Sequence, residues 1–123
     1  MKNIYCLLVI NIFLSLLMSC RYYNEEDLYP FTNCDTINVT FSGTIAPILA
    51  NNCLTCHSNS LAASSGNNIR LENYSDVHAM SVSISGAINH QAPYSQMPKN
   101  GRKLNTCLIN QFEIWVREGA LNN

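Results

Sequence analysis

The sequence predicts an all-α fold of about three to four short helices joined by long loops, with almost no sheet. Three observations carry this. Leu108, Ile109, Phe112, Trp115 and Val116 recur at helical spacing on one face, with Asn110, Glu113 and Arg117 opposite. Ile45, Ile48 and Leu49 repeat the pattern on a shorter scale just after Ser42-Gly43-Thr44. Between such segments the chain is rich in Asn, Ser and Gly, the composition of loops over a small core.

Lys2 and the apolar run from Ile4 to Met18 read as a signal peptide over residues 1–19, too short for a comfortable membrane-spanning helix. Residues 20–38 are polar and turn-prone and form a tether, ordered only near Cys34. A domain over 39–123 comes next. It opens with a brief extended segment at Asn38–Phe41, then a helix with Pro47 in its first turn, where a missing N–H costs least. That helix runs into Cys53. Residues 58–70 read as a loop, and Ser75-Asp76 cap a second helix through Met80. The stretch from Ile84 to Asn100 has little periodicity, so its order is expected to come from contact with something else. The last helix is capped by Asn105 or Thr106 and ended by Gly119.

Composition narrows the function. The chain has 123 residues and a formal net charge of −1, and its seven Lys and Arg are scattered. Nucleic-acid binding needs clustered cations against phosphates, which excludes that class. A mature domain of roughly a hundred residues has a marginal core and tends to need staples or a cofactor.

The six cysteines can be assigned one by one. Cys6 leaves with the signal peptide. Leu17-Met18-Ser19-Cys20 resembles the lipobox of bacterial lipoproteins, which implies cleavage before Cys20 and a diacylglycerol on its thiol. Cys53 and Cys56 share a motif. Cys34 and Cys107 remain, and in an oxidising compartment they are expected to pair. Cys107 and Ile114, two turns apart, mark a second side of the last helix, where the segment around Cys34 should pack.

Cys53-Leu54-Thr55-Cys56-His57 matches C-x-x-C-H, the attachment site of one covalent haem c. Two thiols three apart on a tight turn can reach the two vinyl groups on one side of a porphyrin. The next residue then projects its imidazole toward the iron as axial ligand. Two other readings of a C-x-x-C pair are a thiol–disulfide exchange centre, which wants a βαβ setting, and half a zinc site, which wants a second ligand pair. For the sixth position of the iron the downstream candidates are His78, Met80, His90 and Met97. Met97 precedes Pro98 in a loop before the last helix, a position from which a thioether can swing onto the face opposite His57. Met80 reads as packing, His78 as solvated, and His90 as a rival ligand or a pocket residue. Phe112 and Trp115 are expected to fill the core and border the porphyrin. Arg70, Arg102 and Lys103 could pair with propionates, although solvated positions suit each.

A family resemblance joins these residues. Phe41-Ser42, Ile45-Ala46-Pro47-Ile48-Leu49 and Asn52-Cys53-Leu54-Thr55-Cys56-His57 resemble the opening of small monohaem c-type cytochrome domains, a form common in Bacteroidota and Planctomycetes. Leu71, Tyr74, Ile88-Asn89-His90, Met97-Pro98, Lys103-Leu104, Ile114-Trp115-Val116 and Glu118-Gly119-Ala120 continue the likeness across about residues 39–121. Where such domains read M-P-x-G-G-x-K-L, this chain keeps one glycine, Gly101. The resemblance implies a cytochrome c-like fold and iron ligation by His57 and Met97. The activity it implies is that of an electron carrier rather than an enzyme. Partners would be redox proteins met through weak, transient contacts, with the membrane reached through the lipid anchor. An open-site haem protein that binds small ligands or peroxide is the alternative, and a structural lipoprotein stapled by haem is a third reading. The expected location is the cell envelope, on the periplasmic face or at the outer membrane or cell surface. Asn24-Glu25-Glu26-Asp27 resembles acidic surface-export signals of Bacteroidota lipoproteins.

Overall fold

The computed structural model describes residues 34–99 and 101–123, all within the unit Phe31–Asn123. The expected signal peptide, the lipidation site Cys20 and the tether as far as residue 33 lie outside the described residues. No strand forms among the described residues, and the architecture is all-α. A π-helical turn (Phe41–Ile45) leads into α1 (Ala46–Asn52), then α2 (Leu54–His57), α3 (Ala62–Ser65), α4 (Tyr74–Ala79), α5 (Ser81–Ile88) and α6 (Thr106–Arg117). None of these helices is long and apolar enough to cross a membrane.

The first turn is set by Thr40. Its backbone is extended (φ −120°, ψ 157°), and its hydroxyl accepts from Gly43 N at 3.0 Å. The cap is thus Thr40, upstream of the expected Ser42-Gly43-Thr44. Pro47 lies in the first turn of α1, where no N–H is required. Ile45, Ile48 and Leu49 are buried on the core side.

α6 begins at Asn105, whose side chain accepts from Leu108 N at 3.0 Å. It buries Ile109, Phe112 and Trp115 and ends in two crossed hydrogen bonds: Ala120 N to Trp115 O (2.8 Å) and Gly119 N to Val116 O (3.1 Å). This Schellman pattern requires the left-handed φ of +95° at Gly119. The tail then returns to the start of the domain. Asn123 accepts twice, through its carbonyl from Ser42 N (2.9 Å) and through Oδ1 from Phe41 N (2.8 Å).

Three local expectations are corrected. Residues 58–70 contain α3 rather than loop alone. α4 starts at Tyr74, with Asn73 at its N-cap and no side-chain capping bond. Most of all, Ser81–Ile88 is helical. Its periodicity is hidden because it is covered on more than one side: Ile84 and Ile88 face the core, while Gly86 lies against the Tyr94 ring, which any Cβ there would strike. Met80 packs on the core and His78 is exposed, as expected.

Cys34 and Cys107 are joined by a disulfide (Cα–Cα 5.7 Å), and Gln111 Nε2 donates to Asp35 O at 2.8 Å. The segment around Cys34 is therefore fixed to α6. With the cysteines 73 positions apart, loop-closure entropy lost from the unfolded chain gives the bridge a stabilisation of about 4 kcal/mol. Replacing both cysteines by serine is expected to cost about 2–4 kcal/mol, read as a lower chemical-denaturation midpoint with an intact helical signal.

Candidate functional site

The site is built where one helix fails and another starts. Cys53 N donates to Leu49 O (2.8 Å), closing α1, but φ −122° and ψ −39° at Cys53 break the helical path. Cys56 N and His57 N then both turn back to Cys53 O, at 3.1 and 2.9 Å, and so begin the single turn of α2. The break leaves Cys53 half-buried against the core, Cys56 exposed and His57 buried at 9 % exposure. One tight turn thus presents two thiols and an imidazole in three different environments.

Burial pushes the Cys53 thiol up to about 11. At neutral pH Cys53 is then held as the thiol, whereas disulfide exchange or thiolate ligation of zinc requires the thiolate. Both cysteines are free thiols in the chain that also carries the Cys34–Cys107 bridge. Among the described residues, no three or more His, Cys, Asp or Glu side chains gather as a metal-binding group.

His57 is held from behind by the loop after it. Its Nδ1 lies 2.9 Å from Ile69 O. A carbonyl only accepts, so Nδ1 carries the proton and the lone pair of the neutral ring is on Nε2. Nothing among the described residues hydrogen-bonds Nε2, and no buried side-chain nitrogen or oxygen there is left unpaired. Nε2 therefore opens to the surface of a ring that is otherwise enclosed. The loop is secured at further points: Leu71 N donates to His57 O (2.9 Å), and Asn59 N to Glu72 Oε2 (2.7 Å). Gly66 makes the approach possible, since a Cβ there would stand 2.6 Å from Cys56 O and 2.9 Å from His57 Nδ1. This loop partner escapes sequence reading. A glycine in a Ser/Asn-rich run looks like a flexible joint, and a backbone acceptor leaves no sequence signal.

Met97 is half-buried on a second ordered loop, 89–99, built on the end of α5. Met97 N donates to Ala87 O (3.0 Å), Gln91 N to Gly86 O (2.9 Å), and His90 Nε2 donates to Met97 O (3.1 Å). The stretch from Ile84 onward is braced within itself, by these bonds and by Tyr94 seated on Gly86, and from outside by core packing of Ile84 and Ile88 and by Asn89 Nδ2 donating to Glu113 Oε1. Phe112 and Trp115 are each 1 % exposed, and Trp115 Nε1 donates to Leu121 O (2.8 Å). Protein atoms cover both rings, so their place is the core. Arg70 and Lys103 are on the surface, as is Arg102.

The donor set fits a covalent haem. The two free thiols and the buried imidazole share one turn, with the imidazole tied through Nδ1 to a carbonyl in the manner of metal-ligating histidines. Comparison with family models, curated proteins and solved structures returns no match for this chain.

Three outcomes are expected. Gly66→Ala should cost about 1–3 kcal/mol by pushing the loop off His57, and NMR should show faster solvent exchange of the His57 Nδ1 proton. With both thiols free, iodoacetamide should label Cys56 at neutral pH and Cys53 only as the pH approaches about 11. The folded chain holds the Cys53 proton to higher pH than the unfolded chain does. Its stability in that form should therefore fall as pH rises from 9.0 toward about 11.

Proposed function

We propose that this chain is a c-type cytochrome, a lipid-anchored electron carrier of the cell envelope. The single observation that carries the reading is His57, a buried imidazole whose Nδ1–H is committed to Ile69 O while Nε2 stays open, directly after two free thiols. Cys53 and Cys56 would hold the group through thioethers, and His57 Nε2 would ligate its iron. A haem bound there supplies an iron that cycles between Fe(II) and Fe(III).

The chain's own residues do the rest. The Ile69 carbonyl orients the imidazole and raises its basicity as a ligand. Met97 is the proposed second ligand, on a loop whose backbone is bonded on both sides of the residue. A thioether in that position raises the reduction potential relative to a second histidine, and it closes the iron to exogenous ligands. Phe112 and Trp115, sealed in the core, would act on the pocket through their neighbours. Cys53, Leu54, Met80 and Leu104 are among the half-buried side chains that pack against the core. The helical architecture is compatible with a cytochrome c-like arrangement. Lipidation at Cys20 rests on the lipobox, and partner recognition would use a small, weak interface.

The test is spectroscopic. Protein matured with a haem-attachment system should retain haem under denaturing conditions, and Cys53→Ala with Cys56→Ala should abolish that retention. The ferric protein should show a sulfur-to-iron charge-transfer band that Met97→Ala removes, and the reduced protein should exclude carbon monoxide. Rapid, tight carbon monoxide binding by the unaltered protein would replace the carrier with the open-site reading.

A further inference from the structure

His90 stands out from its surroundings in two ways. It is a non-glycine residue in the left-handed region, with φ +58°, and its side chain reaches seven residues along the chain to the backbone of Met97. A left-handed residue costs free energy unless neighbouring contacts compensate it, and histidine is among the side chains that tolerate this region. The turn at His90 sends the chain away from the end of α5, where His90 N donates to Ala87 O (3.2 Å) and Gln91 N to Gly86 O (2.9 Å). The imidazole then spans the loop that the turn opens. Its acceptor is a carbonyl, so Nε2 is the protonated nitrogen and is already committed.

Met97 is thereby gripped on both sides of its Cα. Its N–H donates to Ala87 O and its C=O accepts from His90. One partner, Ala87, lies in the last turn of α5 and the other, His90, two residues past its end, so they fix the same short piece of backbone to the same support. Asn89 strengthens that support. Its Nδ2 donates to Ser85 O at 3.0 Å and to Glu113 Oε1 at 2.7 Å, which ties the end of α5 to α6.

We infer that His90 is a positioning residue for Met97: it holds the Met97 carbonyl, and so the segment that would deliver the thioether, rather than competing for the iron. This rests on the haem reading above and deepens it. Met97 has three rotatable side-chain bonds and cannot hold its own sulfur in place, so any lasting sulfur–iron bond depends on where the backbone stands. Loss of one hydrogen bond of this kind should raise the open fraction of the iron roughly five- to tenfold.

The experiment compares holoproteins carrying His90→Ala, His90→Asn, His90→Gln and Met97→Ala. The readouts are the ferric charge-transfer band, the reduction potential and the rate of carbon monoxide binding to the reduced form. Asparagine tolerates the left-handed backbone but falls short of Met97 O, whereas glutamine keeps a donor of similar reach. His90→Ala and His90→Asn should keep their haem, weaken the band, lower the potential and bind carbon monoxide roughly five- to tenfold faster. His90→Gln should restore much of each. An unchanged band and unchanged carbon monoxide exclusion in His90→Ala would overturn the inference and leave the haem reading standing. A bis-histidine spectrum in the unaltered protein, lost in His90→Ala, would overturn it by making His90 the ligand. Absence of attached haem in the unaltered protein would sink the underlying reading, and this inference with it.

Discussion

Trp115 ties three separated parts of the chain to one point. Its ring centroid lies 5.7 Å from that of Phe41 in the first turn and 5.5 Å from that of Phe112 on its own helix. Its indole N–H is held by Leu121 O, and its carbonyl receives Ala120 N at the helix stop. Tyr74 completes the cluster, edge-on to Phe41 at 5.1 Å and donating its hydroxyl to Ala120 O at 3.0 Å. Aromatic pairs at these distances add about 0.5–1.5 kcal/mol each beyond area burial. In a domain this small that matters, because little apolar area is available elsewhere. The first turn, α6 and the tail meet at this side chain, α4 joins them through Tyr74 on Phe41 and Ala120, and the disulfide adds a covalent tie to α6.

The candidate site inherits its rigidity from that closure. α1 packs on the first turn, so the place where α1 breaks at Cys53 is fixed relative to the core. From Cys53 onward the path is governed by backbone groups. The Cys53 carbonyl starts α2, the Ile69 carbonyl chooses the His57 tautomer, and the absent side chain of Gly66 lets the loop come close enough for that. Burial of Cys53 against the core raises its thiol and keeps it protonated, which counts against exchange chemistry at this turn.

Legibility in the sequence divides along the same line, between side chains and backbone. The last helix is readable from Leu108 to Val116, because one apolar face at a 3.6-residue period is a direct consequence of burial on one side. The Cys34–Cys107 pair is readable by counting cysteines. The spacing of Cys53, Cys56 and His57 is readable as well, because the motif lies within a single turn. α5 is not readable, since it buries Ser81 and Gly86 and exposes Val82, so that polarity and burial do not coincide along it. Nor is the wrap of residues 58–71 over His57. Its key atoms are a carbonyl oxygen and a missing Cβ, and neither belongs to a residue type that announces a role. Phe112 and Trp115 are legible as core residues, but their closure by protein atoms depends on the tail, whose return to Phe41 and Ser42 has no local pattern.

On the proposed reading the two axial residues are held by different means, and that difference bears on whether the site works as a carrier. His57 is fixed through its own ring: the Nδ1 hydrogen bond aims Nε2 with few degrees of freedom left. Met97 is held through its backbone, at N by Ala87 and at C=O by His90, with no hydrogen bond to fix the thioether itself. The histidine side is therefore set by the fold itself, whereas the methionine side is set by one loop bonded to the end of one helix. A closed, electron-carrying iron and an open, ligand-binding one are then separated by the stability of that loop. Besides Met97, the residues that bear on the choice are His90, Asn89 and Gly86, which brace that loop.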